Sequence, residues 1–111
     1  MPELPEVETI VKALSPLAGK AVSSVRVFHK EVLKIPSHLF CRELAGKKLT
    51  SLERKGKYIL FRFGTEWTMV MHLGMTGQAI LEPAERPDKH THVRIDFGGT
   101  VLNYRDVRKF G

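Results

Sequence analysis

From Pro5 to Leu14 the apolar residues Val7, Ile10, Val11 and Leu14 recur at i, i+3, i+4 and i+7, which lays them along one face of an α-helix. Pro5 suits the first turn, Glu6 and Glu8 complement the positive end of the helix dipole, and Ser15-Pro16 stops the helix. A second short helix is expected from Ser37 to Ala45, closed by Gly46. Elsewhere the period changes to two. In KYILFRF, Ile59, Phe61 and Phe63 alternate with Tyr58, Leu60 and Arg62. In WTMVMHL, Trp67, Met69, Met71 and Leu73 alternate with Thr68, Val70 and His72. Gly64-Thr65-Glu66 joins these two as a hairpin. Val93, Ile95 and Phe97 alternate with His92, Arg94 and Asp96, and Gly98-Gly99 is a two-residue turn signal before TVLNY. Shorter strands are expected at Val22 to Phe28, Leu49 to Arg54 and Gln78 to Leu81; EPAERPDKHT, over 82–91, reads as loop. Six or more short antiparallel strands with one amphipathic helix predict a β-sandwich or barrel with an attached helix.

Composition narrows the class. The 111 residues, 42% hydrophobic and 27% charged, suit one folded domain with a modest core. The single cysteine, Cys41, excludes an internal disulfide framework and a CxxC-type zinc site within these residues, and suits a reducing compartment. The apolar runs are far short of a membrane span, and the start MPELPEVE is unlike a signal peptide, so a soluble intracellular domain is expected. The net charge of +6 is uneven. Residues 19–64 carry eleven Lys or Arg against Glu31, Glu43 and Glu53, a net of +8, densest at Arg54, Lys55 and Lys57. Such a concentration suits a polyanion partner, since neutralising phosphates releases condensed counterions, although a solvated surface reads the same way from charge alone.

The candidate chemistry begins at the N-terminus. Removal of Met1, permitted by the small Pro2, leaves a secondary amine just ahead of a helix start. There the dipole disfavours the ammonium form of a group that ordinarily titrates near ~8. A free secondary amine attacks an aldehyde-like carbon to form an iminium, with Glu3 and Glu6 as carboxylates able to move protons. The same dipole favours ionised Glu3, so an acid role for Glu3 requires burial or a neighbouring negative charge. An acidic helix start also occurs without any catalytic role. Lys55 and Lys57 bracket Gly56 at a strand start, where an ammonium can meet a phosphate and the backbone can come close. His72 reads equally as a half-buried histidine or a phosphate donor. Met75, in a Gly-Met-Thr-Gly turn, with Arg108 and Phe110, makes a set of side chains suited to wedging into a base stack, although Phe110 taken singly reads as core. His90 and His92 in KHTHV lack the cysteine or spaced carboxylate that would complete a metal set.

MPELPEVET, KGKYIL, HLGMTG, KHTHV and YRDVRKFG, in this order across nearly the whole chain, resemble the N-terminal domain of the formamidopyrimidine-DNA glycosylase family. The start favours that enzyme over the related endonuclease VIII group. The resemblance implies a mainly β, α+β fold: a two-layer antiparallel β-sandwich with flanking helices and an N-terminal catalytic helix, occupying residues 1–111 as one domain. It implies a bifunctional glycosylase and abasic-site lyase in base-excision repair. Pro2 would attack C1′ of a flipped oxidised purine nucleotide and hold the sugar as a Schiff base. Glu3 would assist protonation of the sugar ring oxygen, with Glu6 in support. Lys57 would contact phosphate and assist elimination, while His72, His90 and Arg108 would bind the DNA. Met75, Arg108 and Phe110 would fill the gap left by the flipped base.

The partner so implied is double-stranded DNA carrying oxidised purines or abasic sites, in a bacterial cytoplasm, with no membrane and with a monomeric full-length enzyme. Many members read Asp-Pro-Arg-Arg-Phe-Gly where this chain reads Asp106-Val107-Arg108-Lys109-Phe110-Gly111, which keeps the wedge residues. Members continue into a helix-two-turn-helix region and a zinc finger. This chain is accordingly expected to be less than half of such a protein, with no cofactor of its own and one zinc in the remainder. Alone it is expected to bind DNA weakly and turn over little. Two other classes stand beside this reading: a DNA-binding module without chemistry, and a tautomerase using an N-terminal proline. The strand-rich pattern disfavours the second, whose chains are shorter with a βαβ pattern.

Overall fold

The computed structural model describes residues 4–65, 67–72, 78–83 and 91–105. Helix α1 spans Leu4–Leu14 and runs straight into a 3₁₀ turn, Ser15–Leu17, with Pro16 at its start. The proline therefore ends the α-helix and tightens the chain instead of releasing it. Strand β1 (Ser24–Val27), a 3₁₀ turn (Lys30–Val32) and helix α2 (Ser37–Leu44) follow. Six further strands complete the described chain: β2 (Ser51–Lys55), β3 (Tyr58–Phe63), β4 (Trp67–His72), β5 (Gln78–Pro83), β6 (Thr91–Asp96) and β7 (Thr100–Arg105).

The strands form two separate antiparallel sheets, β1-β6-β7-β5 and β2-β3-β4, so the architecture is a sandwich and not a barrel. The inner faces follow the period-two pattern. Ile59, Phe61, Phe63 and Met69 from one sheet meet Val93, Ile95, Leu102 and Tyr104 from the other in a single buried cluster. Val7, Leu14 and Leu17 add to this cluster from α1 and its 3₁₀ extension. Helix α1 packs against β2, β3 and β5. Because β2 and β5 are edge strands of different sheets, α1 closes one side of the sandwich. Helix α2 packs against β1. None of the described helices is long and apolar enough to cross a membrane.

The Gly98-Gly99 turn forms as expected: both glycines hold positive φ, 73° and 103°, and the Phe97 N–H donates to the Thr100 carbonyl at 2.8 Å. Two positions depart from strict alternation. Leu60, on the face away from Ile59 and Phe61, is nonetheless buried. His92, expected to face outward beside Arg94 and Asp96, is only 2% exposed. The β6–β7 register shifts between Thr91 and Val93, so His92 is the extra residue of a bulge, where a side chain leaves the pleat's alternation. Its carbonyl accepts from the N–H groups of Phe28 (2.8 Å) and His29 (3.3 Å), and its ring lies edge-on to those of His29 and Tyr104.

Candidate functional site

Lys57 sits in the tight turn between β2 and β3. Gly56, with φ of +62°, takes the left-handed conformation that lets this turn close, and its carbonyl accepts from Arg54 Nη1 at 3.0 Å. Lys55, Lys57 and Tyr58 are all exposed around it. Strand β4 then returns antiparallel, placing His72 directly opposite Tyr58, with ring centroids 5.0 Å apart. The hairpin thus brings Lys57 and His72 to one end of the three-stranded sheet.

Helix α1 points its N-terminal end the same way. Just beyond α1, Gly19 N–H donates to the Leu49 carbonyl at 2.7 Å, beside the start of β2. Further up the helix, Glu8 accepts from Arg54 Nε at 2.5 Å, near the end of β2. These two links align α1 along β2 with Leu4 toward the β2–β3 turn. Glu6 lies in the helix backbone between them and that end. The hydrogen bond from Arg54, together with the guanidinium charge, outweighs slight desolvation and holds the Glu8 carboxyl below its ordinary pKa. By local pattern Glu8 belongs only to the helix dipole and Arg54 only to the basic surface. Their pairing, 46 residues apart, leaves no local trace in the sequence.

The other sheet contributes through its register. Gln78 of β5 pairs with Arg105 of β7, and Arg105 pairs with Thr91 of β6, so these three residues form one row at the sheet's end. Pro2, Glu3, Met75, His90, Arg108 and Phe110 lie outside the described residues. Of these, Met75 lies in the segment joining β4 to Gln78, His90 immediately precedes Thr91, and Arg108 and Phe110 follow Arg105 by a few positions. The chain therefore enters or leaves that one row at each place where these residues are attached. A cleft of about 560 Å³ opens beside it, with Met69, Met71, Ile95 and Tyr104 in its wall and Lys34 and His72 among its polar lining. Its lining includes both Tyr58 and Tyr104, neighbours of Lys57 and Arg105, so the two sheets present the same end of the sandwich. Among the described residues no cluster of three or more His, Cys, Asp or Glu is arranged to hold a metal ion.

Known proteins share this sequence pattern and fold. Over its 114-residue alignment the chain is 44% identical to the formamidopyrimidine-DNA glycosylase of Ligilactobacillus salivarius, and over 116 residues it is 47% identical to that of Bacillus subtilis. All of this chain is covered, but only 41% and 42% of those bacterial proteins, so the chain spans about two fifths of their length. It superposes on the Lactococcus lactis enzyme in complex with DNA containing FAPY-dG with a TM-score of 0.91 at 33% identity, covering 96% of this chain and 41% of that one. It also superposes on the same enzyme bound non-covalently to DNA with an AP site, with a TM-score of 0.92, 33% identity and coverage of 97% and 42%. The Formamidopyrimidine-DNA glycosylase N-terminal domain family matches residues 1–111, and with helix, hairpin and sheet end disposed as above, the chain belongs to that family.

Proposed function

We propose that residues 1–111 are the catalytic N-terminal domain of a bifunctional DNA glycosylase and abasic-site lyase that removes oxidised purines during base-excision repair in the bacterial cytoplasm. The observation that carries this reading is the convergence at one end of the sandwich: the N-terminal end of α1, the Lys57 turn, His72, and the row Gln78, Arg105 and Thr91. Relatives 33% identical, of the same fold, are seen with DNA containing FAPY-dG and with AP-site DNA.

In this reading the Pro2 amine, freed of Met1, attacks C1′ of the flipped nucleotide. The N–C1′ bond forms as the bond to the base breaks, and the electron pair leaves with the base. Glu3 takes up the proton that the attacking amine sheds and hands it to the sugar ring oxygen, whose bond to C1′ breaks to give the Schiff base, and Glu6 supports the carboxylate pair. The positive end of α1 lowers the cost of an uncharged amine there. Lys57 holds a phosphate and assists elimination, while His72, His90 and Arg108 hold the duplex backbone. Met75, Arg108 and Phe110 occupy the vacated position in the base stack. The family's zinc would be bound in the remainder of a longer, monomeric protein, where its role is to brace the opposite wall of the DNA cleft. Cys41, the single cysteine of these residues, gives no such site here.

Incubation of the chain with abasic-site duplex and borohydride tests the nucleophile. A covalent protein–DNA adduct that is lost on Pro2→Gly is the expected result. Failure of the full-length enzyme carrying this domain to give an adduct overturns the mechanism. Salt-sensitive DNA binding with no adduct in either form, and with Met1 retained in the mass spectrum, assigns the domain to DNA binding without chemistry.

A further inference from the structure

The strand arginines are handled in two ways. Arg54 of β2 and Arg62 of β3 each meet a carboxylate, that of Glu8 and that of Glu53. Arg26 of β1 and Arg94 of β6 instead stand directly opposite one another in the antiparallel register, and among the described residues neither forms an ion pair. Like charges so placed, with Cβ atoms about 5 Å apart, destabilise a strand pair. Val25, Val27, Val93 and Ile95 beside them turn into the core, so both arginines leave the four-stranded sheet on its outer face, away from the cleft. The Arg26 guanidinium carbon lies 5.2 Å from the ring centroid of Phe28 on that same face. Asp96, the acid two positions along β6, uses Oδ1 to accept from the Gly99 N–H at 2.8 Å. Thr91, in the row at the functional end of this sheet, precedes Arg94 by three positions, about 10 Å along the strand.

We propose that Arg26 and Arg94 form a phosphate clamp, a second contact by which the outer face of this sheet holds the backbone of the same DNA duplex beside the damaged nucleotide. The inference rests on the reading of the chain as a DNA glycosylase domain and adds a site to it. Two planar guanidinium forks on opposed positions can close on one phosphate, each through paired N–H donors. The phosphate charge relieves the repulsion between them, so a pairing that costs stability in the free chain becomes favourable in the complex. Phe28 holds Arg26 against its ring and reduces the side-chain freedom lost on binding. The distance from Thr91 matches about three base pairs of duplex rise, so the clamp takes a phosphate flanking the lesion. Arg94 lies outside the basic stretch 19–64, and only the β1–β6 register brings it to Arg26.

Fluorescence anisotropy with a labelled abasic-site duplex over a range of salt tests this. Arg26→Gln combined with Arg94→Gln should weaken binding about 10-fold at low salt and make the slope of log K against log salt shallower by about 1, one phosphate fewer. Arg26→Lys combined with Arg94→Lys keeps both charges but loses the forks, and should stay closer to the Gln double variant than to the parent. In the free chain Arg94→Gln should melt at or above the parent, because it removes the facing charge. Unchanged affinity in the Gln double variant overturns the clamp. So does full recovery by the Lys double variant, which leaves only diffuse charge, or a lower melting temperature for Arg94→Gln, which assigns the pair to packing. Lys57→Ala separates the two readings. If it weakens binding and the Gln double variant does not, the clamp fails and the proposed function stands; the reverse pattern keeps the clamp and overturns the role of Lys57. A parent chain that binds no duplex overturns both.

Discussion

Glu8, one turn into α1, accepts a 2.5 Å hydrogen bond from Nε of Arg54, the residue two before the Gly56 turn. The same guanidinium donates through Nη1 to the Gly56 carbonyl at 3.0 Å. One side chain therefore ties the helix that follows Pro2 and Glu3 to the turn that carries Lys57. In the proposed reaction the nucleophile and the phosphate-binding lysine come from segments more than fifty positions apart in the chain. Arg54 joins the helix to the turn and, in that reading, acts as a positioning residue.

Glu8 has its pKa lowered from 4.5 in the folded protein, chiefly by the Arg54 hydrogen bond. A depressed carboxylate contributes stability that is fully present above its unfolded pKa and is lost as pH falls through the folded value. Glu8→Gln should therefore melt below the parent at pH 7, and the difference should shrink as pH is lowered through 4.5 and below. Thermal melts of both proteins from pH 7 to pH 3 check this. In the same variant, borohydride trapping should slow more than the melting temperature alone would suggest, because the helix and the turn lose their shared tether.

Gly56→Ala separates backbone conformation from packing. A Cβ at this position meets nothing within 4 Å, so the cost is the left-handed φ of +62° alone. The expected loss is about 1–2 kcal/mol, with Gly56→Asn clearly milder, since asparagine tolerates that region better. Urea denaturation of the two variants side by side measures it.

Phe61 is fully buried at the centre of β3, between the two sheets. Phe61→Ala should cost about 3–5 kcal/mol, a large part of the stability of a domain this size. The denaturation midpoint should fall with little change in slope, which distinguishes a cavity from a change in the unfolded chain.

Lys57→Ala tests the electrostatic part of the proposed DNA contact. Binding to abasic duplex should weaken across all sequences, and the slope of log K against log salt should become shallower by about 1, one phosphate contact fewer. Fluorescence anisotropy at several salt concentrations reads both quantities. Lys57 is exposed, so its melting temperature should stay near that of the parent.

Several features were legible from the sequence because they rest on local chemistry. The apolar spacing Val7, Ile10, Val11, Leu14 predicts α1, and the helix spans Leu4–Leu14. Period-two runs predict β3, β4, β6 and β7 to within a residue or two, and adjacent glycines predict the β6–β7 turn. The failures are equally specific. Alternation set His92 outward, but a bulge against β7 turned it under His29. Leu60 is buried although its neighbours' period set it on the opposite face.

The sequence by itself determined which segments are helix and which are strand, where the positive charge is concentrated, and the five ordered motifs that mark the family. Each of these is carried by neighbours along the chain. Only the tertiary structure decided that the strands form two sheets and not a closed barrel. It alone decided that α1 bridges β2 and β5, and that Arg54 reaches Glu8. Those outcomes depend on strand order, register and the direction of a helix, and such long-range pairings are selected by burial of a shared core rather than by any residue's neighbours.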